Sequence, residues 1–419
     1  MKPTFKHTLI ACYIGYITQA IVNNLAPLLF VTFQNEFNLS LTMIGALISV
    51  NFVTQIITDL IAAKYVDRIG YRAATVLAHI MATLGLVSLA VLPGLLPNPY
   101  VGMLTAIILC AIGGGLNEVL ISPIVESLPG DQKEQAMSLL HSFYCWGHVG
   151  VVLLSTLFFA TIGVSNWRIL CVLWAIVPFF NIFLFARVPM TVPVSEDERV
   201  PLRKLFRAPV FWLLMILMVA AGASEQAMSQ WSSLFAELGL NVSKSMGDLL
   251  GPCAFALLMG LSRLFYGVKG DHIDLRKFLI GSSVLCVSSY LLAVFAPHPL
   301  LSLIGCAMTG LSVGIMWPGT FSLAAATYAQ GGTAMFAMLA FAGDVGCASG
   351  PAVVSAIADA SAAFGTAATA GLKYGLLAAI IFPIIMAIGV WSMTTLARLS
   401  ATCRNRILRS EGSQNTTDD

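Results

Sequence analysis

The segment "RVPMTVPVSEDERVPLRKLFRAP" (187–209) is the one long polar break in a chain of 419 residues. On either side the sequence runs apolar for 20 or more residues at a time, each run long enough to cross a hydrocarbon core about 30 Å thick. Six runs precede the break, at roughly 7–34, 41–66, 73–94, 100–127, 134–163 and 167–187. Six follow it, at roughly 210–238, 245–269, 278–296, 299–328, 332–362 and 371–397. Hydrophobic residues make up 58% of the chain and charged ones 10%, whereas soluble domains carry about a quarter charged. Gly and Pro recur inside the runs, which membrane helices tolerate. The first run is too long for a cleavable signal peptide and lacks a small-residue cleavage site. An all-α integral membrane protein of twelve transmembrane helices is expected. Its units are an N-terminal bundle (1–187), a linker (188–209), a C-terminal bundle (210–399) and a polar tail (400–419).

Charge sets an expected orientation. Of 22 Lys and Arg, 18 fall in the tails and even-numbered loops, three (Arg168, Lys244 and Lys373) on the other side, and Arg263 within a span. Positive charge stays in the cytoplasm, so both termini are expected there, in a multi-pass protein of the cytoplasmic membrane. The basic residues form no dense patch, which speaks against nucleic acid as a partner. The nine cysteines lie almost all within spans, as small core hydrophobes without metal-ligand spacing. A monomer in the bilayer is expected.

The two halves echo each other. Asn23-Asn24 opens "NNLAPLLFVTFQNEFNLSLTMIG", and Glu225-Gln226 opens "EQAMSQWSSLFAELGLNVSKSMG" at an offset of 202 residues, with Gly45 falling on Gly247. "DRIGYR" (67–72) falls on "DHIDLR" (271–276), and "GLNEVLISP" (115–123) on "GLSVGIMWP" (310–318). "GHVG" (147–150) falls on "GDVG" (343–346), which equates His148 with Asp344. Two six-helix bundles with a site at the midplane between them is a transporter arrangement. The fifth and eleventh helices are therefore expected to face each other, with His148 and Asp344 as a matched gate or ligand pair.

The loop "AAKYVDRIGYRA" (62–73) resembles the G-x-x-x-D-R-x-G-R-K/R loop of the major facilitator superfamily through Asp67, Arg68, Gly70 and Arg72, with Ala63 and Tyr71 departing from it. "GLNEVLISPIVESLPGDQKEQAMSLLHSFYCWG" (115–147) resembles the fucose:proton symporter family, whose fourth helix carries an acid shortly before an N-P or S-P step. Glu118 stands on that acid, and "SEQAMSQW" (224–231) resembles that family's polar seventh helix. Pro27 stands where the symporters carry an acid in helix one. The resemblance implies the major facilitator fold and proton-coupled uptake of a sugar.

Ionisable groups inside a bilayer are costly and usually functional. Glu118, His148 and Asp344 are the candidates for proton coupling. Gln19, Asn23, Asn24, Asn117, Glu118, His141, Tyr144, Glu225, Gln226 and Gln230 are candidates for binding solute hydroxyls, since amides, imidazole and carboxylate offer donors and acceptors together. His141 and His148, seven residues apart, share a helix face. Trp231 and Trp317 could lie flat on the apolar face of a pyranose, with Trp231 favoured for its polar neighbours. Asp59 and Arg263 occupy corresponding repeat positions and suit an ion-paired latch; with Asp67, Arg68 and Arg72 they are the gating candidates. His79 reads as a satisfied core histidine.

No phosphate-cradling Gly-Lys loop, HExxH or nucleophile–base pairing is present, so neither an enzyme, a cofactor nor a bound metal is expected. The favoured function is alternating-access symport of a small polar solute, a monosaccharide or relative, with protons; sodium remains open as the coupling ion. Proton-driven efflux of an amphipathic compound and a non-transporting sensor are the competing readings.

Overall fold

The computed structural model describes residues 4–129, 133–190, 205–269, 273–328, 332–363 and 368–393. The polar tail (400–419), most of the linker and the start of "DHIDLR" lie outside them. Among the described residues, twelve helices are long and apolar enough to span a bilayer. They are α1 (Phe5–Phe37), α2 (Leu41–Ala62), α3 (Tyr71–Leu95), α4 (Pro99–Val125), α5 (Leu140–Ile162) and α6 (Val164–Arg187), then α7 (Pro209–Gly239), α8 (Lys244–Tyr266), α9 (Leu275–Phe295), α10 (Pro299–Thr327), α11 (Met338–Ser361) and α12 (Ala370–Met393). The face where α1 begins and α12 ends is called terminal here, and the opposite face distal.

Local chemistry marks the helix junctions. The α2 helix runs on to Ile69, and Gly70 (φ 88°) turns the chain into α3 in a conformation a Cβ disfavours, which accounts for the glycine of the loop motif. Asn98 and His298 each cap the following helix, accepting from Tyr100 N at 3.0 Å and Leu300 N at 3.2 Å. Pro99 and Pro299 follow at the first helical position, where a missing N–H costs nothing. The same device thus opens α4 and its repeat mate α10.

Inside each half, α3 packs on α4 and α6, α5 on α1, and α11 on α7 and α12. Between halves, α11 lies along α2, and α5 along α8. That corrects the expectation that α5 and α11 face each other. The repeat makes them equivalent, so their partners, α8 for α5 and α2 for α11, are themselves repeat mates. Three of the four repeated glycines, Gly150 excepted, have a reason in this packing. A Cβ on Gly147 would meet Ile17 Cα of α1 at 3.1 Å, and Cβ atoms on Gly343 or Gly346 would run into Trp317 or the Val219 carbonyl of α7. Small residues let these helix pairs approach closely.

The α2–α11 seam is antiparallel, residue numbers rising on one helix as they fall on the other. Thr42 N donates to Asp359 Oδ2 at 2.8 Å at the distal end, Gly45 abuts Ser355 further in, and Asp59 meets Asp344 towards the terminal face. Two more contacts close the distal face. Lys244 Nζ of α8 donates to the Leu28 carbonyl of α1 while pairing with Glu237 and Asp248 at 3.0 and 3.1 Å. Trp231 of α7 packs against Phe30 with ring centroids 6.2 Å apart.

Candidate functional site

Exposure falls with depth along α5: His141 is exposed, Tyr144 half-buried and His148 buried. Glu118 and Ser122 on α4, Arg263 on α8 and Trp317 on α10 are also partly open, while Asn23, Asn24, Gln230 and Trp231, nearer the distal face, are sealed. These residues outline a cavity between the halves that opens to the terminal face and ends under the distal closure.

Its N-terminal wall is a hydrogen-bonded set. Gln19 Nε2 donates to Glu118 Oε2 at 2.8 Å, and Tyr16 and Ser122 share a hydroxyl bond of 2.9 Å. His141 meets the Tyr16 ring edge-on, centroids 5.4 Å apart. Glu118 and Ser122 are one turn apart, so both point from α4 into the cavity. Asn24 Nδ2 reaches the Ala20 carbonyl at 2.9 Å and the Tyr144 hydroxyl at 3.4 Å. Asn117 is fully buried, and neither atom of its amide has a hydrogen-bond partner among the described residues.

The C-terminal wall centres on Arg263. Its guanidinium pairs with Glu225 Oε2 at 3.3 Å and donates to the Gly314 carbonyl at 3.2 Å and to Cys145 Sγ, across the halves, at 3.4 Å. Gln226 Nε2 donates to Glu225 Oε1 at 3.4 Å, and Gln230 Nε2 to Gln226 Oε1 at 3.0 Å. Gln230 also donates to the Asn23 carbonyl at 3.3 Å, joining the walls at the cavity floor.

Several expectations are corrected by this geometry. Arg263 and Asp59 do not pair: the cation is held by Glu225, while Asp59 lies with Glu118 and Asp344, carboxylate oxygens of all three within 4.8 Å of one another. Asp344 therefore partners acids on α2 and α4, and not His148, whose helix α5 lies along α8 and α1. Trp231 is fully buried, its indole N–H donating to the Pro351 carbonyl at 3.2 Å, so it presents no ring face to a solute here. Trp317 is the partly open indole, resting on Gly343.

Among the gating candidates, Arg72 Nη1 donates to the carbonyls of Phe185 and Ala186 at 3.1 and 2.8 Å, tying α3 to the last turn of α6. A cation suits that end of a helix. Arg68 is exposed, and the side chain of Asp67 lies outside the described residues. His79 is fully buried between the Thr75 carbonyl and the Asn181 amide, each at 2.8 Å. Two polar residues were passed over by the sequence reasoning. Asn51 and Gln55 donate to Asn23 Oδ1 at 3.2 and 2.9 Å. Their signal was present: Asn51, Gln55 and Asp59 recur every fourth residue, along one face of a largely apolar helix.

Solved structures of similar fold include a bacterial homologue of the human lysosomal transporter Spinster, inward-facing and occupied (TM-score 0.75, 15% identity, covering 94% of this chain and 98% of that one). A D-xylose-proton symporter matches at TM-score 0.72 and 15% identity, covering 92% of this chain and 95% of the other. The E. coli fucose:proton symporter matches at TM-score 0.62 and 14% identity, covering 91% and 97%. The sequence profile of the Major Facilitator Superfamily matches residues 12–351. With twelve spanning helices in two six-helix halves around one central cavity, this chain belongs to the Major Facilitator Superfamily.

Proposed function

We propose that the protein is a proton-coupled symporter of a small polar solute, a monosaccharide or close relative, with its terminal face in the cytoplasm. The concentration of Lys and Arg at that face supports the orientation, which makes the state described here inward-open. The observation that carries the reading is Glu118, an acid half-open to the cavity and held at 2.8 Å by Gln19. A carboxylate at that place can take a proton from one side and release it to the other, and its neighbours Ser122, Tyr16 and His141 offer hydroxyl and imidazole groups to a polyhydroxy solute. Fold relatives that include a D-xylose-proton and a fucose:proton symporter are consistent with it.

Efflux of an amphipathic compound would call for an apolar cavity. The wall described above is polar on both sides, which favours the sugar class. Uptake of a panel of radiolabelled monosaccharides into proteoliposomes, with and without an imposed pH gradient, is the test. Gradient-stimulated accumulation of at least one sugar is expected; the absence of stimulation across the panel overturns the reading.

A further inference from the structure

We infer that Asp59, Glu118 and Asp344 form a binding site for one hard metal cation of sodium or calcium size, bridging the two halves of the carrier. The donor set comes from three helices: α2 and α4 in the N-terminal half and α11 in the C-terminal half. Each residue offers a carboxylate oxygen, and these oxygens lie within 4.8 Å of one another. Oxygens no further apart than this can share one ion at a metal–oxygen distance of about 2.4 Å, the range of Ca²⁺, with Na⁺ close to it in size; Mg²⁺ usually takes only one or two carboxylates and keeps several waters. All-oxygen donors select hard cations over zinc or copper.

Three observations separate this cluster from an ordinary group of acids. Among the described residues, none of the three carboxylates has a Lys or Arg within ion-pairing distance; Arg263 on the opposite wall is engaged by Glu225. Asp344 is 5% exposed, and apart from the Asp59 and Asp344 carboxyl groups facing each other, neither Asp344 Oδ2 nor Asp59 Oδ1 meets a hydrogen-bond donor among the described residues. Gln19, also 5% exposed, is pinned beside the cluster by its bond to Glu118, and its amide oxygen is buried with no donor. A neutral amide oxygen is a regular ligand for both ions. Buried acceptors without donors call for a proton or a cation, and the three acids bring theirs within reach of one ion.

The backbone keeps the place open. A Cβ on Gly115 of α4 would fall 2.8 Å from Asp59 Oδ1 and 3.0 Å from the Gln55 carbonyl. A residue without a side chain at this point lets the Asp59 carboxylate lie against α4 beside the other two acids. The site shares Glu118 with the coupling reading above but does not depend on which solute is carried.

The test is direct binding of ²²Na⁺ and of ⁴⁵Ca²⁺ to the purified full-length protein in micelles at pH 8, without solute. Saturable binding of one of the two isotopes is expected, near one ion per chain, weakened at least tenfold in Asp59→Asn and in Asp344→Asn. Sodium binding with calcium silent assigns a monovalent ion, and the reverse a divalent one. Gly115→Ala keeps every carboxylate yet displaces Asp59, so it should weaken binding severalfold and serves if the acid variants do not fold. No saturable binding of either isotope overturns the site, as does binding undiminished in all the variants that fold. Either failure would leave pH-driven solute uptake untouched, so the two proposals stand or fall separately.

Discussion

The side-chain amide of Gln230 donates to the backbone carbonyl of Asn23 at 3.3 Å, and Pro27 is the reason that carbonyl is free. In a continuous helix the N–H four residues on would take it, and proline has none. Helix α1 accordingly breaks into a 3₁₀ turn at Ala26–Leu29, which also leaves the Leu28 carbonyl for Lys244. The residue that departs from the symporter pattern has become the anchor of the distal closure.

Gln230→Met should therefore loosen that closure. It leaves the Asn23 carbonyl buried without a donor, at a cost of about 1–3 kcal/mol to the distal-closed state. Spin labels at Asn35→Cys and Met246→Cys, in a cysteine-depleted background, should show a longer distance in a larger fraction of molecules. An unchanged distance distribution would show that the bond contributes nothing to the closure.

The two tryptophans should separate cleanly. Trp231→Ala empties a fully buried site between Phe30 and Pro351, and about 3–5 kcal/mol of stability should be lost. Trp317→Ala, at a partly open position, should weaken solute binding with a smaller change in melting temperature. Matched binding and melting curves for both variants decide this, and a reversed pattern would place the stacking face at Trp231.

Glu118→Gln should abolish accumulation driven by a pH gradient while exchange of solute across the membrane continues. The amide retains the shape and the capacity to bond Gln19 but cannot carry the proton. Paired accumulation and exchange assays on one proteoliposome preparation check it; normal accumulation ratios would remove Glu118 from the coupling path.

The Glu225–Arg263 pair should behave non-additively. Removing one partner leaves the other charge largely buried, a loss of about 3–5 kcal/mol in comparable pairs. The double change Glu225→Gln with Arg263→Met should cost less than the sum of the singles. Additive losses in thermal denaturation would mean that Cys145 and Gly314 hold Arg263 without help from Glu225.

Much of the fold was legible because lipid leaves few options. Twelve apolar runs of spanning length and a break at 187–209 are enough for the count and the division into halves. Contact partners were harder to read. The repeat relates His148 to Asp344, but equivalence under a two-fold axis is not adjacency, and the axis sets α11 against α2 and α5 against α8. The same logic relates Asp59 to Arg263: each reaches across its own seam, Asp59 to Asp344 and Arg263 to Cys145. One seam gathers acids and the other places a guanidinium against a cysteine, and composition could not show which residues meet. Trp231 misled for a related reason. Polar neighbours at one and five residues' spacing do not reveal that a ring is capped by Phe30 and Pro351.

The α2–α11 seam has a mechanical consequence. Asp59 lies 17 residues from Thr42 along α2, about 26 Å at 1.5 Å per residue. With the acid contact as fulcrum, α2 is a long lever whose far end carries the Thr42–Asp359 bond. A tilt of about 15° at the fulcrum moves that end by about 7 Å on a 26 Å arm. That is enough to part the distal mouth by the width of a sugar ring while Asp59 and Asp344 stay in touch.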